Sequence, residues 1–152
     1  MKRLFLSMLV ALMALASWAV NNDQYTIIVS LDGFRWDYCE AYNTPFLNSM
    51  AEKGVKAVMS PSFPSKTFPN HYTLATGLVP DHHGIIANSF RIRATGKKYS
   101  LGNAETRSDI RNYGGDPIWL TAKRQGMTTA TVYWVGSDIP IKGGYANYWQ
   151  DY

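Results

Sequence analysis

The chain has 152 residues, of which 46% are apolar, 14% aromatic and only 17% charged. That length and balance suit one ordinary domain and exclude a disordered tail, a collagen-like repeat or a charge-driven linker. The formal charge is +4, with a pI near 9.2, and it falls to +2 if Lys2 and Arg3 leave with the segment that carries them. So mild an excess does not predict a nucleic acid duplex as partner, because electrostatic binding needs a concentrated basic face. Cys39 is the single cysteine, which excludes an intramolecular disulfide and a cysteine-rich zinc module.

In chain order, Lys2 and Arg3 precede the apolar run 4–16, and the small residues Ser17 and Ala19 follow. This is the pattern of a cleavable export signal over residues 1–19. A second small-x-small pair, Ala14 and Ala16, offers a cut a few residues earlier. The run gives way to Asn21, Asn22 and Asp23 before reaching the ~20 apolar residues of a membrane span, so no stable membrane anchor is expected. The implied compartment is a periplasm or the cell exterior, where an unpaired Cys39 is tolerable if buried.

Residues 25–31 (YTIIVSL) are a β-branched run that predicts a buried strand ending at Asp32-Gly33. Thr44-Pro45 is a cap followed by proline at the first helical position, and it opens a helix that stops at Gly54. Residues 55–59 have strand character and lead into the proline-rich loop 61–64. A second helix is predicted over residues 67–76, with Thr67 as its cap, Pro69 in its first turn and Gly77 beyond its end. The alternating stretch 90–101, with Thr95-Gly96 inside it, predicts a hairpin. Asp116-Pro117 opens a third helix that stops at Gly126, and residues 128–135 read as another core strand.

Strands alternating with helices predict an α/β fold with a largely parallel sheet and helices on both faces. The tail 136–152 reads as lacking a terminal strand. So few parallel strands would be poorly covered, so the chain is expected to be an incomplete piece of a larger domain.

The densest chemistry lies in residues 61–88, PSFPSKTFPNHYTLATGLVPDHHGIIAN. Thr67 stands at a helix start, where unpaired backbone N–H groups and the helix dipole favour an anion. Alone it reads as a simple cap. As a nucleophile, its hydroxyl would need a metal or a base beside it. Asp32 lies where open α/β sheets put their ligands, beyond the carboxyl end of a strand, although an aspartate before glycine is also an ordinary turn former.

Three segments then stop being generic. YTIIVSLDGF (25–34), FPSKTFPNHY (63–72) and GLVPDHHGIIAN (77–88) together resemble the nucleotide pyrophosphatase/phosphodiesterase family of the alkaline phosphatase superfamily. PIWLTAKRQG (117–126) and YWVGSD (133–138) fit the same family in the same order.

The resemblance implies an alkaline-phosphatase-like fold and a hydrolase with two zinc ions, in which a threonine attacks phosphorus and a phosphothreonine intermediate is released by water. Carried over by position, Thr67 is the nucleophile and a zinc ligand, Asp32 a ligand of the same zinc, and Asn88 a hydrogen-bond donor to a phosphoryl oxygen. Phe68 and Tyr152 would face each other across a base-stacking slot that accepts any nucleobase, with core packing as the other reading of Phe68. Lys66 would steer or hold phosphate, unless it is simply solvated. The implied partner is a small-molecule phosphate ester of nucleotide type, with oligomeric state left open. His71, His82 and His83 match structural positions and are assigned to no metal. Arg91, Arg93, Lys97 and Lys98 read as a solvated face.

The family's remaining zinc ligands are an aspartate and histidine four residues apart, an adjacent aspartate-histidine pair and a last histidine. None follows Asp138, where only Asp151 remains. A catalytic zinc takes about three protein ligands, so residues 20–152 are expected to be the N-terminal part of a catalytic domain and inactive alone. Two further readings stay open: a phosphomonoesterase or phosphonate hydrolase of the same superfamily, and a noncatalytic exported binding remnant. A sulfatase is disfavoured, because SKTFPN lacks the cysteine or serine followed at fixed spacing by proline and arginine.

Overall fold

The computed structural model describes residues 24–151. The export signal predicted over residues 1–19, and Tyr152, lie outside the described residues. The chain divides into two compact units, 1–30 and 31–152. In the first, residues 24–30 carry no regular secondary structure. None of the described helices is long and apolar enough to cross a membrane.

The second unit contains α1 (Tyr38–Ala41), α2 (Pro45–Lys53), α3 (Thr67–Thr76), α4 (Pro80–His83), β1 (Ser89–Arg91), β2 (Lys98–Ser100), α5 (Ala104–Arg107), α6 (Ile118–Arg124), β3 (Ala130–Val132) and β4 (Tyr148–Gln150). Single 3-10 turns at Ile110–Asn112 and Ile141–Gly143 join them. The fold is mixed α/β, with two small sheets and flanking helices.

Local chemistry explains the three predicted helices. In α3, Phe68, Tyr72 and Ala75 follow the i, i+4, i+7 spacing of one helix face, and all three are buried. Gly77 ends the helix in the left-handed region at φ 69°, where its N–H reaches the Thr73 carbonyl at 2.8 Å. Helix α6 buries Trp119 and Leu120 and starts at Ile118, with Pro117 as its cap. Helix α2 has proline in its first turn but buries no residue. The free Cys39, on α1, is half-buried rather than buried.

The sheets differ from the expectation. Residues 25–31 and 55–59 form no strand. Tyr25, Ile27, Val29, Val55 and Val58 are instead exposed, and a strand forms only where a neighbour takes its backbone N–H and C=O groups. Conversely, the tail does hold a strand. β4 runs parallel to β3 in the register Ala130↔Tyr148, Thr131↔Trp149, Val132↔Gln150. Asn147 fixes that pairing, since its Oδ1 accepts from the Thr129 N–H at 3.0 Å, and the Tyr148 N–H donates to the Thr129 carbonyl. The hairpin β1–β2 is antiparallel, as its alternation and Thr95-Gly96 predict. It turns Tyr99 into the core, while Arg91, Arg93, Lys97 and Lys98 are exposed.

The core gathers Phe68, Tyr72, Ile85, Tyr99, Tyr113, Trp119, Leu120, Val135, Ile139 and Ile141. Its three tyrosines pack edge to face, with Tyr72 and Tyr113 ring centroids 5.3 Å apart. Each hydroxyl has a partner: Tyr72 donates to the Gly114 carbonyl at 2.9 Å, and Tyr99 and Tyr113 bond each other at 3.0 Å. Burial raises all three above the usual phenol range, Tyr99 to about 12. A largely buried ion pair, Arg107 to Asp138 at 3.4 Å, ties α5 to the segment after β3.

Candidate active site

The N-terminus of α3 is where the sequence-predicted residues meet. Lys66, not Thr67, is the cap, with extended backbone, and Thr67 is the first helical residue. The side chain of Thr67 therefore does not cap the helix. Its Oγ1 instead donates to Asp32 Oδ2 at 3.1 Å. Asp32 sits in a turn closed by the Phe34 N–H on the Leu31 carbonyl, with Gly33 at φ 67° supplying the left-handed residue. The turn-forming aspartate and the partner of Thr67 are thus one residue.

Asn88 reaches the same helix end. Its Oδ1 accepts the Phe68 backbone N–H at 3.0 Å, which fixes the orientation of the amide, because only its oxygen can accept. Its Nδ2 has no acceptor among the described residues and remains a donor. The opening of α3 is otherwise economical in N–H groups. Pro69 has none, the Phe68 N–H is taken by Asn88, and the Asn70 N–H goes to the Lys66 carbonyl at 3.2 Å.

Asn70, given no role by the sequence, clamps the loop ahead of Thr67. Its Oδ1 accepts from the Ser62 N–H at 2.8 Å, and its Nδ2 faces the carbonyls of Ser62, Pro64 and Lys66 at 3.0–3.3 Å. The sequence signal was an asparagine in the first turn of a helix, where such side chains bond to nearby backbone.

The remaining candidates fall into three groups. The Lys66 side chain is exposed. Phe68 is 1% exposed and belongs to the core, so a base would have to displace the groups that cover its ring. Tyr152, its expected opposite, is outside the described residues. His71 Nδ1 donates to the Thr67 carbonyl at 2.9 Å, and the Trp134 indole N–H donates to the His71 carbonyl at 3.0 Å. His82 is exposed, whereas His83 is buried, and burial lowers its pKa below the usual histidine value.

Asp32 and Thr67 offer a cation two neighbouring oxygens on an exposed rim, a donor chemistry that fits zinc as part of a site. Among the described residues, no group of three or more histidine, cysteine, aspartate or glutamate side chains gathers to complete one.

The profile of the type I phosphodiesterase/nucleotide pyrophosphatase family matches residues 26–152. Among characterised sequences, ectonucleotide pyrophosphatase/phosphodiesterase family member 3 of Rattus norvegicus is 41% identical over 129 residues, covering 83% of this chain and 15% of that protein. Family member 1 of Homo sapiens is 38% identical over 130 residues, covering 84% of this chain and 14% of that protein. Murine ectonucleotide pyrophosphatase/phosphodiesterase 5 superposes with a TM-score of 0.77 at 36% identity, over 85% of this chain and 35% of that one. An inactive threonine-to-alanine variant of the same murine protein, solved in complex with AMP, gives a TM-score of 0.78 at 35% identity, over 86% of this chain and 35% of that one. The chain thus spans about one seventh of the length of the two sequence relatives named here and about a third of the solved ones. By family match, identity and fold together, it belongs to the type I phosphodiesterase/nucleotide pyrophosphatase family, within the alkaline-phosphatase-like α/β fold.

Proposed function

We propose that this chain supplies the nucleophile side of a zinc-dependent site that hydrolyses phosphodiester or pyrophosphate bonds in small nucleotide-like molecules. The observation that carries the reading is the hydrogen bond from Thr67 Oγ1 to Asp32 Oδ2 at 3.1 Å. It places a hydroxyl beside a carboxylate at a helix N-terminus.

In this reading Thr67 Oγ1 loses its proton to solvent as it bonds to phosphorus, and the bond from phosphorus to the leaving-group oxygen breaks on the opposite side. Water later cleaves the threonine–phosphorus bond, its oxygen going to phosphorus and a proton returning to Oγ1. Asp32 holds the hydroxyl in place. Asn88 Nδ2 donates to a phosphoryl oxygen as charge builds on it, and the dipole of α3 adds to that stabilisation. Zinc, when bound, would rest on Asp32 and Thr67 and supply Lewis acidity that makes the hydroxyl a better nucleophile. Its other donors would come from parts of the family's length that this chain does not span. The AMP complex of the murine relative supports nucleotide-like ligands, against which Phe68 and Tyr152 would stack and near which Lys66 would attract phosphate. Export through residues 1–19 is part of the same proposal.

The test uses the complete protein, with a nucleotide diester and the matching monoester as substrates. Zinc-dependent turnover that favours the diester and is lost in Thr67→Ala is the expected result. Faster monoester turnover would replace the diesterase reading with a phosphomonoesterase. Turnover unchanged in Thr67→Ala would remove Thr67 as nucleophile.

A further inference from the structure

We propose that His83 is a positioning residue for this site, acting through Asn88 and never touching substrate; the inference rests on the phosphodiesterase reading above. His83 is fully buried at the end of α4. Its Nδ1 accepts the Ile85 backbone N–H at 3.2 Å. An N–H can only donate, so Nδ1 carries no proton and the neutral ring holds its hydrogen on Nε2. Nε2 therefore donates across to α3, to Thr73 Oγ1 at 3.0 Å, with the Pro69 carbonyl of the same helix also facing the ring. The edge of the Tyr72 ring meets the imidazole with centroids 5.0 Å apart.

Both ring nitrogens are committed, which leaves the ring no part in proton transfer. The backbone at the same point is fixed as well. The His83 carbonyl accepts from the Gly114 N–H at 2.8 Å. Gly84, at φ 87°, lies so close to the Asn112 carbonyl that a Cβ there would come within 2.7 Å of its oxygen.

From His83 the chain passes through the fully buried Ile85 to Asn88, whose Oδ1 takes the Phe68 N–H. Residues 83–88 are thus fastened to α3 twice, at Thr73 through His83 and at Phe68 through Asn88. The first tie sets the height of the segment along the helix, and the second can form only at that height. Asn88 is presented at the Phe68 N–H, one residue from Thr67, because His83 holds the far end of the segment. Burial that lowers the His83 pKa keeps the imidazole in the neutral form this arrangement needs.

The experiment is a double-mutant cycle in the complete zinc-loaded protein, with a nucleotide diester as substrate. His83→Asn keeps an acceptor near the position of Nδ1 but cannot reach Thr73. We expect kcat to fall by roughly 10- to 100-fold, the cost of a misplaced catalytic group, with KM changed by less than about threefold. In an Asn88→Ala background the same substitution should cost less than about twofold. If His83→Asn does not fold, Thr73→Val removes the same tie at nearly constant volume and should repeat the pattern, while Thr73→Ser should restore kcat. Equal losses in both backgrounds, or an unchanged kcat in a folded variant, would overturn the proposal. A parallel Thr67→Ala control separates the two failures: turnover that survives it refutes Thr67 as the nucleophile and with it the site reading on which this inference rests, whereas turnover that needs Thr67 but ignores the His83–Asn88 coupling refutes only the positioning role.

Discussion

Thr67 and Asp32 stand 35 positions apart in the chain and are joined by a 3.1 Å hydrogen bond from the hydroxyl to the carboxylate. A threonine side chain at the start of a helix ordinarily turns back to its own backbone. Here the cap is Lys66, and the hydroxyl is free to point at another element. That displacement by one residue separates a structural threonine from one available for chemistry.

Asn88 performs two separable tasks, and two substitutions tell them apart. Asn88→Asp keeps an oxygen for the Phe68 N–H but replaces the Nδ2 donor with negative charge, so the complete protein should keep its melting temperature and lose about 10²–10³-fold in kcat. Asn88→Ala also leaves the Phe68 N–H without its side-chain acceptor and should lower stability by roughly 1–3 kcal/mol. Paired thermal melts and steady-state kinetics measure both.

His83 gives stability a defined pH dependence. Burial lowers its folded-state pKa below the ordinary value of 6.5, outweighing the Pro69 and His83 backbone carbonyls and the Asp81 carboxylate, which pull the other way; Tyr72, packed against it, stays neutral. Below pH 6.5 the unfolded chain therefore binds a proton that the folded chain resists. The stabilisation is fully present above that pH and is lost as pH falls beneath it. Melting temperatures measured from about pH 7 down to pH 5 should fall less steeply in His83→Gln than in the unsubstituted protein.

Phe68 distinguishes packing from recognition. It is 1% exposed in the core, while the proposed function makes it a stacking wall for the base. Phe68→Leu keeps an apolar side chain in the core and removes the aromatic face. The expected result is a KM for nucleotide diesters raised roughly tenfold, with little change for a diester that lacks a base. Equal effects on both substrates would make Phe68 a packing residue only.

Legibility in the sequence tracks the range of the forces involved. Helix α3 was legible because its cap region, its buried face of Phe68, Tyr72 and Ala75 and its Gly77 stop are all local signals. The hairpin around Thr95-Gly96 was legible for the same reason. Residues 25–31 and 55–59 have strand composition without strands, since pairing depends on a neighbour that composition does not reveal. The pairing of β4 with β3 was missed because Asn147 and Thr129, 18 residues apart, set it. At the site, motif order picked out Asp32, Thr67 and Asn88. The supports, Asn70 and His83, could not be ranked from sequence, because their function lies in which backbone groups they face.

The central claim is that Thr67 becomes covalently bonded to phosphorus. The most direct measurement is rapid acid quenching of the complete zinc-loaded protein during turnover of a nucleotide diester, with mass spectrometry of the peptide that contains Thr67. The predicted result is a substrate-derived phosphoryl group on Thr67, absent in Thr67→Ala and depleted once substrate is exhausted. Turnover with no adduct on that peptide, undiminished in Thr67→Ala, would contradict it.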